Sequence, residues 1–259
     1  MHEQAPGANP TAAILVIGDE ILSGRTKDVN INTIARFLNE RGIDLNEVRI
    51  VHDDMDAIVE ALNALRARNT YVFTTGGIGP THDDITADAV ARAFGVPIGP
   101  HPEAVKILKA LFAEMGREET PARMRMARIP EGAELIPNPV SKAPGFHIGN
   151  VFVMAGVPKI MEAMLHQLDG KLKRGAPVKS VTIRAELPEG DLGDPLRALA
   201  EKHEGVTIGS YPFNDHGHFG TRIVIRSRDE AALKAAERDV RALVEDYTAK
   251  IPNPPVNWE

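Results

Sequence analysis

The chain lacks cysteine altogether, so none of its 259 residues can form a disulfide, act as a thiol nucleophile or bind a metal through sulfur. It also lacks a basic excess, because 36 acidic residues against 30 lysines and arginines give a formal net charge of −6. Nucleic-acid binding usually requires a basic surface, so we expect no nucleic-acid partner. No apolar run is long enough to span a membrane. We therefore expect a cytoplasmic protein with no membrane partner.

The size and apolar content of the chain allow two domains. Hydrophobic residues make up 43% of the sequence, enough for one substantial core and a smaller second one. Residues 1–10 are polar and have no signal-peptide core, so we expect a disordered leader there. Charged and chain-breaking residues over 171–177 are typical of a linker. We expect a first domain over residues 11–170 and a second over 178–250.

Apolar runs alternate with helical repeats along the first domain. Ile31, Ile34 and Leu38 show the spacing of one helix face, and the same spacing follows the later apolar runs. This alternation predicts an α/β fold with a mostly parallel sheet. After residue 177 the order becomes βαββα, which predicts a small α+β domain.

The most informative segment is Thr74–Thr86, TTGGIGPTHDDIT, which leads from an apolar strand through a glycine turn into a helix. Glycines permit positive φ and let a ligand approach the backbone, and the N-terminus of the helix favours an anion. Asp83 and Asp84 would repel a bare anion, but carboxylates beside phosphates are the ligands that Mg²⁺ requires. The segment predicts metal-assisted phosphate chemistry; the alternative is that Asp83 and Thr86 cap the helix.

Two other apolar runs end in similar residues. Residues 12–17 lead into Gly18, Asp19 and Glu20, and residues 48–51 lead into a His-Asp-Asp sequence. In an open parallel sheet, ligands bind beyond the carboxyl ends of the strands. We expect the three strand ends to form one site, and the alternative is three independent polar loops.

Four motifs in combination resemble the competence/damage-inducible protein A (CinA-like) family. They are GDEILSG at 18–24, the glycine segment at 75–86, NP at 138–139 followed by APGF at 143–146, and GVP at 156–158. The resemblance implies a three-layer molybdopterin-binding fold, as in MoaB and MogA proteins and the N-terminal region of FAD synthase. The sequence IGSYP at 208–212 is similar to the small α+β segment that follows this fold. The nicotinamide-nucleotide deamidase domain of the family is expected to be absent.

The resemblance implies two activities that the sequence does not separate. One is a divalent-metal-dependent nucleotide diphosphate hydrolase acting on ADP-ribose or FAD. The alternative is a molybdopterin-binding or pterin-adenylylating protein of molybdenum cofactor metabolism. Asp53 and Asp84 match the functional carboxylates of the molybdopterin family and are the expected catalytic residues. Asp19 and Glu20 depart from that family's arrangement, which favours the hydrolase.

The expected site residues come from all three strand ends. Phosphate or nucleotide contacts are expected from Gly18, Ser23, Gly76, Gly77, Gly79, Thr81 and Thr86. Metal ligands are expected from Asp19, Glu20, Asp53, Asp83 and Asp84, with Mg²⁺, Mn²⁺ or Co²⁺ as the ion and potassium as a further candidate. Ser23 and Thr81 suit the closing of a turn at least as well.

Two further expectations concern ligands and assembly. Arg123 and Arg128 either contact phosphate or cover apolar surface with their stems. The expected ligand is a small nucleotide or pterin. A homo-oligomer is expected because proteins with this fold commonly self-associate.

Overall fold

The computed structural model describes residues 9–215 and 217–250. Except for residues 9 and 10, the expected leader lies outside the described residues. The contacts of the chain divide it into two units, Met1–Gly175 and Ala176–Glu259. This division falls inside the segment that the sequence analysis identified as a linker.

A six-stranded sheet forms the centre of the first unit, in the order β2-β1-β3-β8-β7-β6. The strands of this unit are β1 (Thr11–Ile17), β2 (Asp44–Val51), β3 (Tyr71–Thr75), β4 (Ile98–Pro100), β5 (Arg128–Pro130), β6 (Glu134–Ile136), β7 (Gly145–Ile148) and β8 (Val151–Met154). The pairs β1/β2, β1/β3 and β3/β8 are parallel, whereas β7 pairs antiparallel with both β8 and β6. Strands β4 and β5 form a separate two-stranded sheet, which the sequence analysis did not predict.

Helices cover both faces of the main sheet. The helices of this unit are α1 (Asp19–Leu22), α2 (Asn30–Glu40), α3 (Met55–Arg68), α4 (Thr86–Phe94), α5 (Pro102–Glu114), α6 (Pro121–Met124), a 3₁₀ turn (Arg125–Ala127) and α7 (Pro158–His166). One core contains Leu15 from β1 with residues of α3, α4 and α5, and the other contains Ile14 with residues of α2 and α7. The expected three-layer α/β fold is confirmed.

The second unit contains a three-stranded antiparallel sheet in the order β10-β11-β9. Its elements are β9 (Lys179–Ala185), α8 (Glu189–Lys202), β10 (Val206–Asp215), β11 (His218–Ser227) and α9 (Glu230–Lys250). Alternate residues of β9 and β11 pack with α8 and α9 in one core. This is the predicted βαββα order. No helix in the described part of the chain combines the length and apolar character needed to cross a membrane.

Candidate functional site at the carboxyl edge of the sheet

Four parallel strands end along one edge of the main sheet. Strands β1, β2, β3 and β8 are neighbours with the same direction, so the segments that follow them begin side by side. These segments start at Gly18, His52, Gly76 and Ala155. The three strand ends singled out from the sequence therefore meet, and β8 adds a fourth.

Glycines let the strand ends touch through their backbones. Gly76 has φ +103°, and a Cβ atom there would collide with the carbonyl oxygen of Ile17. Its own N–H donates to the carbonyl of Met154 at 3.2 Å. A Cβ on Gly156 would lie 3.3 Å from the Cα of Gly76. Close packing of β1, β3 and β8 at this edge is thus a structural reason for glycine at position 76.

Thr86 fixes the glycine turn from the first residue of α4. Its hydroxyl donates to the carbonyl of Gly76 at 3.0 Å, and its N–H donates to the carbonyl of Gly77 at 3.0 Å. Thr86 is fully buried, and Gly77 has φ +66°. Thr86 therefore holds the turn instead of facing a ligand. It does not cap α4 either, because the N-cap position is Ile85 and has no side-chain cap.

Asp84 also holds this loop. One carboxylate oxygen accepts the Gly79 N–H at 2.6 Å, and the other accepts the Thr81 N–H at 2.8 Å and the Thr81 hydroxyl. Both oxygens are therefore occupied by the residues just before Asp84. Asp84 and Thr81 therefore stabilise the loop, and the catalytic, metal and phosphate roles expected of them stay predictions.

Most of the expected phosphate-binding amides are likewise used within the protein. The Gly18 N–H donates to the Val51 carbonyl at 3.2 Å, and those of Gly76 and Gly79 have the partners given above. No partner for the Gly77 N–H is found among the described residues. Gly77 is thus the expected amide that retains a free donor. Ser23 is exposed at the end of α1.

Asp19 and Asp53 form a linked pair at the ends of β1 and β2. Asp53 Oδ2 accepts the Asp19 N–H at 3.0 Å, and Asp19 Oδ1 lies 2.8 Å from His52 Nδ1. The hydrogen bond with His52 lowers the pKa of Asp19. Burial, and then the charges of Asp19, Glu20 and Asp83, raise the pKa of Asp53. The edge therefore carries concentrated negative charge.

The carboxylates do not form a ready metal cage. Within residues 9–215 and 217–250, no group of three or more His, Asp or Glu side chains is arranged to hold an ion. Of the five expected ligands, Asp84 accepts hydrogen bonds within its loop, and Asp19 and Asp53 are linked to each other. Glu20 and Asp83 act on Asp53 through their charge.

A small cavity of about 20 Å³ lies beside the glycine turn. It is lined in part by Gly77, Gly79 and Arg125. Arg125 Nε is buried and has no hydrogen-bond partner among the described residues, and its Nη2 lies 3.4 Å from the Asp84 carbonyl. This side chain is the guanidinium that reaches the glycine turn.

The two other arginines of this segment already have partners within the protein, although Arg128 lines the same cavity. Arg128 forms a bidentate pair with Asp88, at 2.6 and 3.0 Å. Arg123 donates to the Glu118 carbonyl at 2.6 Å. A phosphate role for Arg123 or Arg128 is therefore not favoured.

Sequence analysis missed Asn30, which supports the fourth strand end. Its Nδ2 donates to the Gly156 carbonyl at 2.7 Å across 126 residues of chain. The residue is only 4% exposed, and its buried Oδ1 has no partner in the part of the chain that the structure describes. A signal existed, because Asn30 precedes Ile34 by four residues and so occupies the buried stripe of α2. A polar residue on such a stripe needs a hydrogen-bond partner in the protein interior.

Comparison with known proteins gives two family matches. Residues 13–173 match the model described as a probable molybdopterin binding domain, and residues 177–251 match the FAD synthase middle domain. A protein of Pyrobaculum calidifontis is 36% identical over 213 residues, covering 78% of this chain and 81% of the relative. A CinA-like protein of Desulfosudis oleivorans is 35% identical over 210 residues, covering 76% of this chain.

The chain spans only 51% of that CinA-like relative. Among solved structures, a protein described as CinA with unknown function, from Thermoplasma acidophilum, is 33% identical with a TM-score of 0.59. The alignment covers 63% of this chain and 98% of that structure. The first unit is therefore shared with a family of known fold.

Proposed function

This chain belongs to the CinA-like proteins that carry a MoaB/MogA-type molybdopterin-binding domain, and from that membership we propose that its sheet edge binds a phosphorylated pterin of the molybdopterin class. The observation that carries the proposal is a pair of hydrogen-bond donors at the small cavity beside the glycine turn. Gly77 N–H and Arg125 Nε line this cavity and have no partner among the described residues. Both groups are donors that suit a phosphate oxygen. The cavity, at about 20 Å³, is close to the size of one water, so the body of the ligand would lie outside it, over the sheet edge.

The start of α4 adds to this preference for an anion. The helix begins at Thr86, directly after the loop, and the positive end of its dipole lies there. Asp84 and Asp88 also line the cavity, but the loop amides donate to Asp84 and Arg128 pairs with Asp88, which offsets their repulsion of an anion. The phosphate is therefore assigned to the β3–α4 side of the edge.

The carboxylates of the edge suit a different part of the same ligand. An ionised carboxylate only accepts hydrogen bonds, and a pterin ring presents amino and ring N–H donors. Asp19 and Asp53 lie at the ends of β1 and β2, beside the strand end that begins the glycine turn. A ligand with one anionic end and one donor-rich end matches this division of charge.

Calorimetric titration with a phosphorylated pterin tests the proposal. Replacing Arg125 by Gln should weaken binding by about tenfold or more, because a hydrogen bond to a charged group is lost. Arg123→Gln is the matched control, since Arg123 does not line the cavity and should leave the affinity unchanged. Equal affinity in both variants, or no binding by the unmodified chain, would contradict the proposal.

A second candidate is metal-dependent hydrolysis of a nucleotide diphosphate such as ADP-ribose or FAD. The raised pKa of Asp53 supports it, because a cation would relieve the crowding of like charges. Mg²⁺ is often held by one or two carboxylates plus substrate phosphates, so a pair such as Asp19 and Asp53 suits it without a preformed cage. In this proposal Asp53 remains the catalytic carboxylate.

Turnover of metal-stripped protein separates the two candidates. Mg²⁺, Mn²⁺ and Co²⁺ are added in turn, with and without potassium, and AMP release from ADP-ribose or FAD is followed. Hydrolysis that is lost in Asp53→Asn, while pterin binding persists, would support the second candidate. Asp84→Asn is not diagnostic, because it also removes an acceptor from the loop. Absence of turnover with every metal would leave binding as the function.

A further inference from the structure

Within the described residues, one long edge of the main sheet has no strand beside it. Strand β2 pairs with β1 on one side, and the sheet ends on its other side. The Gly18 N–H donates to the Val51 carbonyl, so the backbone groups of Val51 point toward β1. Backbone groups alternate along a strand, and those of Val48 and Ile50 therefore point outward. Such an edge is a template for another strand.

Over residues 47–51 this edge has no lysine, proline or bulge to prevent pairing with another strand. Exposed edge strands are commonly blocked by lysine or proline, and β2 contains neither in its sequence DLNEVRIV. Val48 and Ile50 are each 37% exposed, which is high for large apolar side chains on a strand. A bulge at Asn46, opposite the step from Ala12 to Ala13, is the one irregularity of its pairing with β1. The regular stretch is therefore Glu47–Val51.

The charges of this stretch are complementary to themselves. Glu47 and Arg49 flank Val48, lie on the same face and form an ion pair at 2.6 Å, and Arg68 of α3 also pairs with Glu47 at 3.1 Å. An antiparallel copy centred on Val48 places Glu47 opposite Arg49 of the second copy, and Arg49 opposite Glu47. These would be non-hydrogen-bonded pairs, in which side chains approach closest. Val48 of one copy would lie opposite Val48 of the other, and the two would form hydrogen bonds through their outward-pointing N–H and C=O groups.

Other registers of the same pairing are unfavourable. Centring on Glu47 opposes two glutamates, and centring on Arg49 opposes two arginines. Centring on Ile50 places Glu47 opposite Asp53, whose pKa is already raised by neighbouring carboxylates. The charges thus select the register centred on Val48.

We propose that β2 pairs antiparallel with β2 of a second copy of this chain, centred on Val48, to form a twofold-symmetric dimer with one continuous sheet. Such self-complementary contacts are the usual basis of homodimers. On one face, two Glu–Arg pairs cross the junction. On the other face, Val48 packs against its counterpart, and Ile50 is covered at the flank. The inference depends on the edge strand alone and is independent of the proposed ligand.

Complementary charge reversals test both the interface and its register. Glu47→Arg places Arg opposite Arg in the homodimer, and Arg49→Glu places Glu opposite Glu. Each variant alone should raise the dimer dissociation constant at least about tenfold, because opposed like charges cost several kcal/mol. Mixed in equal amounts, the two variants should recover the dimer, because every opposed pair is then Arg with Glu. Light scattering after size-exclusion chromatography measures the molar mass of each variant and of the mixture, and so distinguishes monomer from dimer.

The controls reverse charges on exposed helical positions away from the edge. Glu60→Arg on α3 and Arg36→Glu on α2 should leave the unmodified chain's dimer intact. Recovery on mixing also shows that each edge variant is folded. The proposal is overturned if the unmodified chain is monomeric at all accessible concentrations. It is equally overturned if either edge variant alone dimerises like the unmodified chain, or if the mixture stays monomeric.

Discussion

The two sheets of this chain bury their strands differently. Strands β1 and β3 are buried along almost their whole length, because helices cover both faces of the main sheet. Strand β9 alternates between exposed and buried residues, because α8 and α9 cover one face. Polar side chains of the first sheet are therefore concentrated beyond its strand ends, whereas those of the second lie along its open face.

Polar groups on the open face of the second sheet and those beyond the strand ends of the first differ in whether they have partners. On the open face, Arg184 and Arg222 both pair with Asp215 and lie over the ring of Phe213, at 4.1 and 4.8 Å. Beyond the parallel strands, Gly77 N–H and Asn30 Oδ1 lack partners within the described residues. Charges on the open face pair with one another, while the strand ends retain polar groups without a partner among the described residues.

The largest expected effect comes from Gly76→Ala at the strand ends. The methyl group would collide with the Ile17 carbonyl, and φ +103° is unfavourable for alanine. We expect a loss of about 2 kcal/mol or more in the free energy of unfolding, measured by denaturant titration. Gly99→Ala is the control, because nothing lies within 4 Å of a Cβ there and its φ is not positive. Similar losses of unfolding free energy in both variants would show that position 76 does not require glycine more than position 99 does.

Asn30→Ala should have the next largest effect. It leaves the Gly156 carbonyl without its donor, for an expected loss of about 1–3 kcal/mol. Thermal unfolding of Asn30→Ala is compared with that of Asn32→Ala, an exposed asparagine in the same helix. If both changes prove neutral, Asn30 does not support the fourth strand end.

A gain in stability is expected in the second unit. Gly193 lies exposed inside α8 with open space around it, so Gly193→Ala should stabilise the helix by about 0.5–1 kcal/mol. Gly205→Ala should instead destabilise, because Gly205 has φ +73°. Hydrogen exchange of the amides of this unit measures the change in stability for both variants. A loss at Gly193 would show that this glycine is required there.

The smallest expected effect is electrostatic and lies at Asp53. Its folded pKa is raised, so the folded state binds its proton more readily than the unfolded state does, and stability falls as pH rises through the interval between the two pKa values. Asp53→Asn should therefore stabilise the chain by roughly 0.5 kcal/mol at neutral pH. The gain should vanish below the unfolded pKa, which unfolding at a series of pH values can check. A gain that persists in acid would point to another cause.

Some features of the fold and the site could be predicted from the sequence, and others could not. The glycine turn after β3 and the meeting of three strand ends followed from apolar runs that end in glycine or aspartate. The role of Asp84 did not follow, since its carboxylate accepts bonds from Gly79 and Thr81, and no spacing distinguishes such a loop acceptor from a metal ligand. The short strands β4, β5 and β6 were missed because three-residue segments carry no measurable periodicity.

The sequence by itself determined the order of strands and helices, the mostly parallel sheet and the edge where polar residues collect. These depend on periodicity and on turn residues, which are local properties of the chain. Only the tertiary structure decided which polar groups are free. Gly76 and Gly79 donate within the protein, and Asn30 reaches Gly156 across 126 residues. The Gly77 N–H has no acceptor among residues 9–215 and 217–250. Hydrogen bonds saturate, so a group's availability depends on partners that folding brings from distant parts of the chain.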